Sequence, residues 1–428
     1  MDNRLKEHPQ RLLLYSEVHA RPPESIEAPA RLSYLVLLGD GDLEPLRELC
    51  TRYGVDQPAR DASHFSADMG PFRIRFERHT EFTRYLFAIS GASEIPFEKN
   101  AIDSVPKEWL ENLEGELMVA IHIAVLEQGS LPAEEEAISK KYFSGNALVG
   151  SRFSGGKGRA LTDLRIHADS FSRLLVEDGG TNPRQMGRYV QRLLEIDTYR
   201  ILALLAFPVA RGLMPFLSSC EDELTEIAAE MSVASEREEP VLLDRLTRLH
   251  AEIVRTRAES AFRFSAALAY AGLVRRRIDE LRETRIEGTQ TFEEFTQRRL
   301  APAMETCATV GRRLAELSEQ VTRATQLLST RVDVSRERQN RELLESMDRR
   351  ASLQLRLQQT VEGLSIAAIT YYIVGLVGYA ASGIQSAGLA EINAPVVIAV
   401  SIPIVLAAVA FGVRKVRTMI SRDEDHSH

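Results

Sequence analysis

Catalytic signatures are the first thing missing from this 428-residue sequence. It has no Gly-x-Ser-x-Gly elbow, no His-Glu-x-x-His pair and no Cys-x-x-Cys motif, so the usual serine-hydrolase, zinc-peptidase and thiol-redox readings have no residues to stand on. An enzyme is therefore not expected. Cysteine is scarce: Cys50, Cys220 and Cys307 lie far apart, match no ligand spacing, and are expected as small packed hydrophobes in a reduced cytosolic body. Basic excess is missing too, and a net charge of -8 argues against nucleic acid as a partner. Near the start only Leu12 to Leu14 are apolar, with acids close by and no small-residue cleavage site, so no signal peptide is expected.

What is present gathers at the far end. Two apolar runs, 364–384 and 394–413, are separated by a short turn and followed by Arg414, Lys415, Arg417 and Arg422. At about 1.5 Å per helical residue each can cross a hydrocarbon layer of roughly 30 Å. A charge at the centre of a span costs roughly 2.5–3.5 kcal/mol, and neither run contains one. Arg349, Arg350 and Arg356 precede the first run, whereas 383–395 holds no basic residue and the single acid Glu391. The charge bias thus predicts a lipid-embedded two-helix transmembrane hairpin with both termini in the cytoplasm, in the inner membrane if the source is bacterial.

The expected fold class is α+β, with domains at 1–180, 181–362, 363–413 and 414–428. The first is read as a mixed, largely antiparallel α/β cytoplasmic domain. Strands are expected at 32–38, 82–89, 117–126, 147–153, 159–166 and 171–176, and Phe72, Ile74 and Phe76 alternate with charges at the strand period. Asp42 can cap a helix reaching Tyr53. After Asp178-Gly179-Gly180 the pattern turns helical. Thr181 or Asn182 can cap a helix that begins at Pro183 and runs to about Phe207, while 201–210 is too short to span and is expected as a buried segment bent at Pro208.

Two long helical segments follow. Leu246, Leu249, Ile253, Thr256, Ser260, Phe264, Ala267, Ala271, Val274, Ile278 and Leu281 keep spacings of three and four, the seam of a coiled coil with Thr256 and Ser260 as polar breaks, and Gly288 is expected to end that helix. The next begins near Thr291, and no Gly or Pro interrupts 312–362. At helical rise that stretch is roughly 75 Å long, a stalk able to enter the bilayer unbroken.

Candidate site residues are few. Residues two apart on a strand share a face, so His79 and Glu81, and likewise Glu17 and His19, could reach one divalent cation or act as a polar pair; a structural histidine paired with a carboxylate is the preferred reading. Gly155, Gly156, Lys157 and Arg159 invite an anion-binding loop, but the outer glycine and terminal hydroxyl of a phosphate loop are missing, which favours a basic surface hairpin. Along the first apolar helix Glu362, Ser365, Tyr372 and Tyr379 follow helical spacing. They suit a pore stripe with a carboxylate at its inner mouth and Glu391 outside; Gly375 and Gly378 equally suit close helix packing, and a homo-oligomer would satisfy both.

The segments Glu17-Val18-His19-Ala20-Arg21-Pro22, His79-Thr80-Glu81-Phe82-Thr83, Ser154-Gly155-Gly156-Lys157 and Ile369-Thr370-Tyr371-Tyr372-Ile373-Val374-Gly375-Leu376-Val377-Gly378-Tyr379 together resemble a bacterial family of uncharacterised membrane-anchored proteins, a domain of unknown function. In plan the chain also resembles the CorA-type divalent metal ion channels. That resemblance implies a homopentamer whose first span lines a pore and ends in Gly-Met-Asn. Gly378-Tyr379-Ala380 stands there instead, without the asparagine that would face a hydrated cation. Two functions follow as expectations: an oligomeric cation channel or transporter, or a non-conducting membrane-anchored scaffold or sensor whose cytoplasmic domain binds a protein partner.

Overall fold

The computed structural model describes residues 8–12, 14–15, 23–153, 155–386 and 393–424. The chain forms two compact units. One comprises the described residues up to Ala234 together with Val241–Gln326; the other comprises Ser235–Pro240 and those from Leu327 onward.

The first unit is built on β1 (Ala30–Leu38), α1 (Glu44–Tyr53), β2 (His64–Asp68), β3 (Arg73–Arg78), β4 (Phe82–Ser90), α2 (Lys107–Glu111), β5 (Glu116–Leu126), α3 (Glu135–Tyr142), β6 (Val149–Phe153), β7 (Gly158–Thr162) and β8 (Ser172–Glu177). Helices α4 (Pro183–Leu204), α5 (Ala206–Val233), α6 (Glu239–Leu281) and α7 (Phe292–Arg299) follow, with β9 (Thr284–Arg285) between the last two. The strands form a nine-stranded sheet in the order β2-β3-β4-β1-β5-β8-β7-β6-β9. Neighbours are antiparallel except β5 and β8. The class is α+β with a mixed sheet, as the strand patterning predicts.

Burial explains the order. In the central strands β1 and β5 nearly every residue is covered, which suits their continuous apolar runs. One face packs Phe72, Phe76, Phe87, Tyr85 and Trp109 against Leu46, Leu49 and Cys50 of α1. Asp42 accepts the Glu44 N–H at 3.0 Å, and Gly54, with φ of 70°, closes α1 at the other end. Strand β7 stops at Thr162, short of the expected 166, because Asp163 turns the chain: its carboxylate accepts from the Arg165 N–H and the Asn146 side chain, and Leu164 takes φ of 53°.

The helical part departs from expectation at its joints. Asn182 caps α4 reciprocally with Gln185, but the helix ends at Leu204 rather than Phe207. Pro208 has no N–H to offer the Leu204 carbonyl, so the ladder breaks there and Pro208 falls in the first turn of α5, where a donor is not needed. Helix α6 ends at Leu281, before Gly288, where Arg282 takes φ of 48°. Its seam residues Leu246, Leu249, Ile253, Ala267 and Val274 are buried. Phe264 lies 3.7 Å from where a side chain on Gly311 would begin, and Arg313 pairs with Glu221 of α5 at 2.7 Å.

Beyond α7, capped by Thr291, α8 (Ala301–Ser386) runs for 86 residues and contributes to both units. In the second unit Glu239 pairs with Arg331 of α8 at 2.6 Å, and Glu236 takes a hydrogen bond from Ser335 at 2.8 Å and an ion pair from Arg338. Helix α9 (Ala394–Glu424) follows.

Candidate functional site

Two places concentrate unusual chemistry, one in each unit. In the first unit a chain of buried charges joins the sheet to α4 and α6. The β3–β4 pairing sets Glu77 opposite Arg84, and Arg75 is two residues before Glu77 on the same face. Arg75 donates to Glu77 Oε1 at 2.7 Å and Arg84 to Oε2 at 2.8 Å. Arg84 reaches on to Glu195 of α4 at 3.4 Å, which also accepts from Gln191 at 2.8 Å and from Arg277 of α6. Glu280 receives Arg277 and Arg192, each at 3.0 Å. Glu77, Arg84 and Glu195 are all buried, and beside them Tyr34 hydrogen-bonds Thr198 at 3.1 Å. Burial alone would raise the Glu77 pKa; the His79 ring and the Arg84 and Arg75 charges overcome it and hold the carboxyl well below the usual range.

Next to this network a cavity of about 1120 Å3, its open mouth included, is lined by Asp40, Arg78, His79, Thr80, Phe82, Tyr199, Tyr270 and Leu273. The turn between β3 and β4 forms one wall, held by the Arg78 N–H on Ser63 O, the His79 N–H on Phe82 O and the Gly39 N–H on Glu81 O. His79 stacks on Phe82 at 4.4 Å between centroids, and Tyr199 stacks on Tyr270 at 5.6 Å.

His79 and Glu81 belong to this turn rather than to one strand face, and they part company. His79 lies 3.7 Å from Glu77, whereas Glu81 accepts from Tyr270 at 2.5 Å and pairs with Arg263 at 3.0 Å. Among the described residues no group of three or more His, Cys, Asp and Glu could hold a metal ion. Glu17 and His19 lie outside the described residues. Gly155 and Gly156 make the β6–β7 turn with φ of 68° and 88°, and Lys157 beside them is exposed. Arg159 turns inward, donating to Glu177 at 2.6 Å and Pro132 O at 3.0 Å, and a strand rather than a helix follows the turn. The arrangement is that of the expected hairpin.

Arg84, Glu195, Arg277, Tyr199 and Tyr270 were not legible as a site in the sequence. Arg84 reads as the polar side of a strand whose other face is apolar, and only the packing of α4 and α6 over it reveals the burial. The signals were present only as spacing: Gln191, Glu195 and Tyr199 recur every four residues, and Arg263, Tyr270 and Arg277 every seven.

In the second unit the apolar end of α8 has two faces. Ile366, Thr370, Val374, Gly378 and Ala381 are covered or half-covered, and a side chain on Gly378 would meet Ile398 of α9 at 3.1 Å. Helix α9 answers with a row of its own, Ala394, Ile398, Ser401 and Val405. Gly375, three residues earlier, is exposed. Glu362 is half-covered and stands one turn before Ile366, while Ser365, Tyr372 and Tyr379 are exposed on the far side, the tyrosines at 72% and 82%. Upstream, Met347, Gln354 and Val361 continue that outward stripe, while Glu345, Arg349, Ser352, Arg356 and Gln359 mark the opposite side; all of them are exposed. Glu391 lies outside the described residues.

By length and composition three helical stretches can cross a membrane: Pro183–Val233, Phe292–Ile384 and Ala394–Lys415. Their most apolar windows are 28%, 11% and 0% buried. The first packs Leu202, Ala203, Ala206, Ala210 and Leu217 fully into the first unit; the other two have little protein over them.

A family model described as "Protein of unknown function (DUF3422)" matches residues 6–420. None of the curated proteins matches the chain.

Proposed function

The chain belongs to the DUF3422 family over nearly its whole length, and from that premise we propose that it is an integral membrane protein of CorA-like plan, a homo-oligomer that conducts a cation. In this reading α8 is a stalk that becomes the first span, α9 is the second span, and both termini lie on the cytoplasmic side of a bacterial inner membrane. The Arg and Lys residues before the first apolar run and after the second support that orientation.

The observation that carries the proposal is the polarity of the outward stripe on α8. Between Leu343 and Val361 it exposes Leu343, Met347 and Val361, each at least 57%, on either side of the polar Gln354, which is more apolar surface than water favours. Between Ser365 and Tyr379 it bears the exposed phenols of Tyr372 and Tyr379, polar groups that lipid favours least, while the Ser365 hydroxyl is held by the Val361 carbonyl at 2.8 Å. One helical face mismatched to the solvent on both sides fits against copies of itself around an axis, where apolar side chains pack and hydroxyls line a wet path. Glu362, half-covered and one turn before Ile366, would stand near its inner end. The test is cation flux into liposomes loaded with the purified protein. A flux that Tyr379→Ala or Glu362→Gln changes severalfold supports conduction; a ring of chains with no flux refutes it.

A second reading, a non-conducting membrane-anchored scaffold or sensor, draws on Gly378. It faces α9 rather than the stripe, and Gly378-Tyr379-Ala380 carries no cation-selecting amide. Neither reading needs catalysis at His79, and His79→Ala is expected to leave flux and metal content unchanged.

A further inference from the structure

The cavity beside the β3–β4 turn plays no part in the transport reading, and its polar groups do not satisfy one another. Tyr199 is 8% exposed, yet its hydroxyl makes no hydrogen bond among the described residues. Burial, then the charge of Glu195, pushes its pKa up to about 12, so the group is a standing donor. Asp40 lines the same cavity and is exposed, with no ion pair to Arg78 or to any other described cation. Arg78 makes one long bond, 3.4 Å, to the Asp61 carbonyl and keeps the rest of its guanidinium uncommitted. Glu81 is spoken for by Arg263 and Tyr270. Two opposite charges line one cavity without pairing, and the same cavity has aromatic and apolar walls: Phe82 under the His79 ring, the Tyr199–Tyr270 stack, and Leu273.

We propose that this cavity binds a small zwitterion, a free α-amino acid, whose carboxylate is taken by Arg78 and the Tyr199 hydroxyl, whose ammonium is taken by Asp40, and whose side chain rests on Phe82, Tyr270 and Leu273. A ligand with one charge would engage only one of Asp40 and Arg78, so a zwitterion gains more than either of its halves. The aromatic walls favour an apolar or aromatic side chain over a charged one.

The test is calorimetric titration of the full-length protein in detergent with individual L-amino acids, and with acetate and methylammonium as single-charge probes. At least one amino acid is expected to bind where neither single-charge probe does. Asp40→Asn and Arg78→Gln are each expected to weaken that binding by about tenfold or more. Tyr199→Phe preserves the ring stack, so its weaker binding with an unchanged melting temperature would isolate the hydroxyl. The proposal is overturned if no amino acid binds at millimolar concentration, if acetate binds as well as the amino acids, or if Asp40→Asn leaves binding unchanged. Flux measurements are independent of all three outcomes, so the transport reading and the ligand site stand or fall separately.

Discussion

Arg84 lies between two buried carboxylates, and that position sets its value to the fold. Removing it leaves Glu77 with Arg75 and Glu195 with Arg277, each carboxylate buried and one cation short. Arg84→Met is expected to cost about 3 kcal/mol, because an under-compensated buried charge is more damaging than a missing ion pair. Urea unfolding followed at Trp109, the single tryptophan and a buried one, would measure it. Adding Glu77→Gln should recover part of the loss. His122 gives a pH signature in the same unit. It is stacked on Phe171 and hydrogen-bonded to Ser33 at 3.0 Å, and burial lowers its pKa to about 4. The folded form therefore holds the proton less well than the unfolded chain, whose histidine titrates near 6.5. Stability is complete above that value and declines as pH falls toward 4, by about 1.4 kcal/mol per unit. His122→Asn should flatten the decline in that window. The lowered Glu77 carboxyl also favours the folded state, and its contribution is lost only in more acid solution, below the ordinary glutamate range. None of these partners could be read from the sequence: Ser33 and His122 are 89 positions apart, and Arg84 and Glu195 are 111 apart. The turn residues His79 and Glu81 were visible because they adjoin, but their divergence was not, since it depends on α6 supplying Arg263 and Tyr270.

Among the elements, the long outward stripe of α8 is the most exposed to experiment. If it packs on its own copies, single cysteines at Met347 and Gln354 should form disulfides between chains in native membranes, while cysteines at Ser352 and Gln359, on the opposite side, should not. Equal cross-linking on both sides would show that the helix has no preferred partner face. The natural thiols Cys50, Cys220 and Cys307 are buried and should contribute little background. Which elements were legible follows from their burial. β4 and β5 lie within the sheet and carry the apolar runs such strands need. β2 and β9 sit at its two edges; His64-Phe65-Ser66-Ala67-Asp68 alternates weakly, and Thr284-Arg285 is too short to show any period. The joint between α4 and α5 was placed too late because proline was expected to break the helix at itself, whereas the lost hydrogen bond belongs to the carbonyl four residues earlier.

At the scale of the whole molecule, the two C-terminal apolar stretches make a simple demand. The protein should stay with the membrane fraction after alkaline carbonate extraction, and release by carbonate would remove the spanning interpretation. The apolar runs were the plainest feature of the sequence because each carries about 20 uncharged residues in succession, the length that crossing a lipid layer would require. The division into units was much harder to read, because it does not follow the chain. The backbone passes between them at 234–235, at 240–241 and again at 326–327. The short Ser235–Pro240 segment, which includes the first two residues of α6, belongs with the C-terminal unit, where Glu236 and Glu239 hold Arg338 and Arg331. The C-terminal part is therefore not a detachable module. A fragment ending before Leu327 would keep that segment while losing both of its arginine partners, and a domain exchange at that boundary would have to carry residues 235–240 along with the tail.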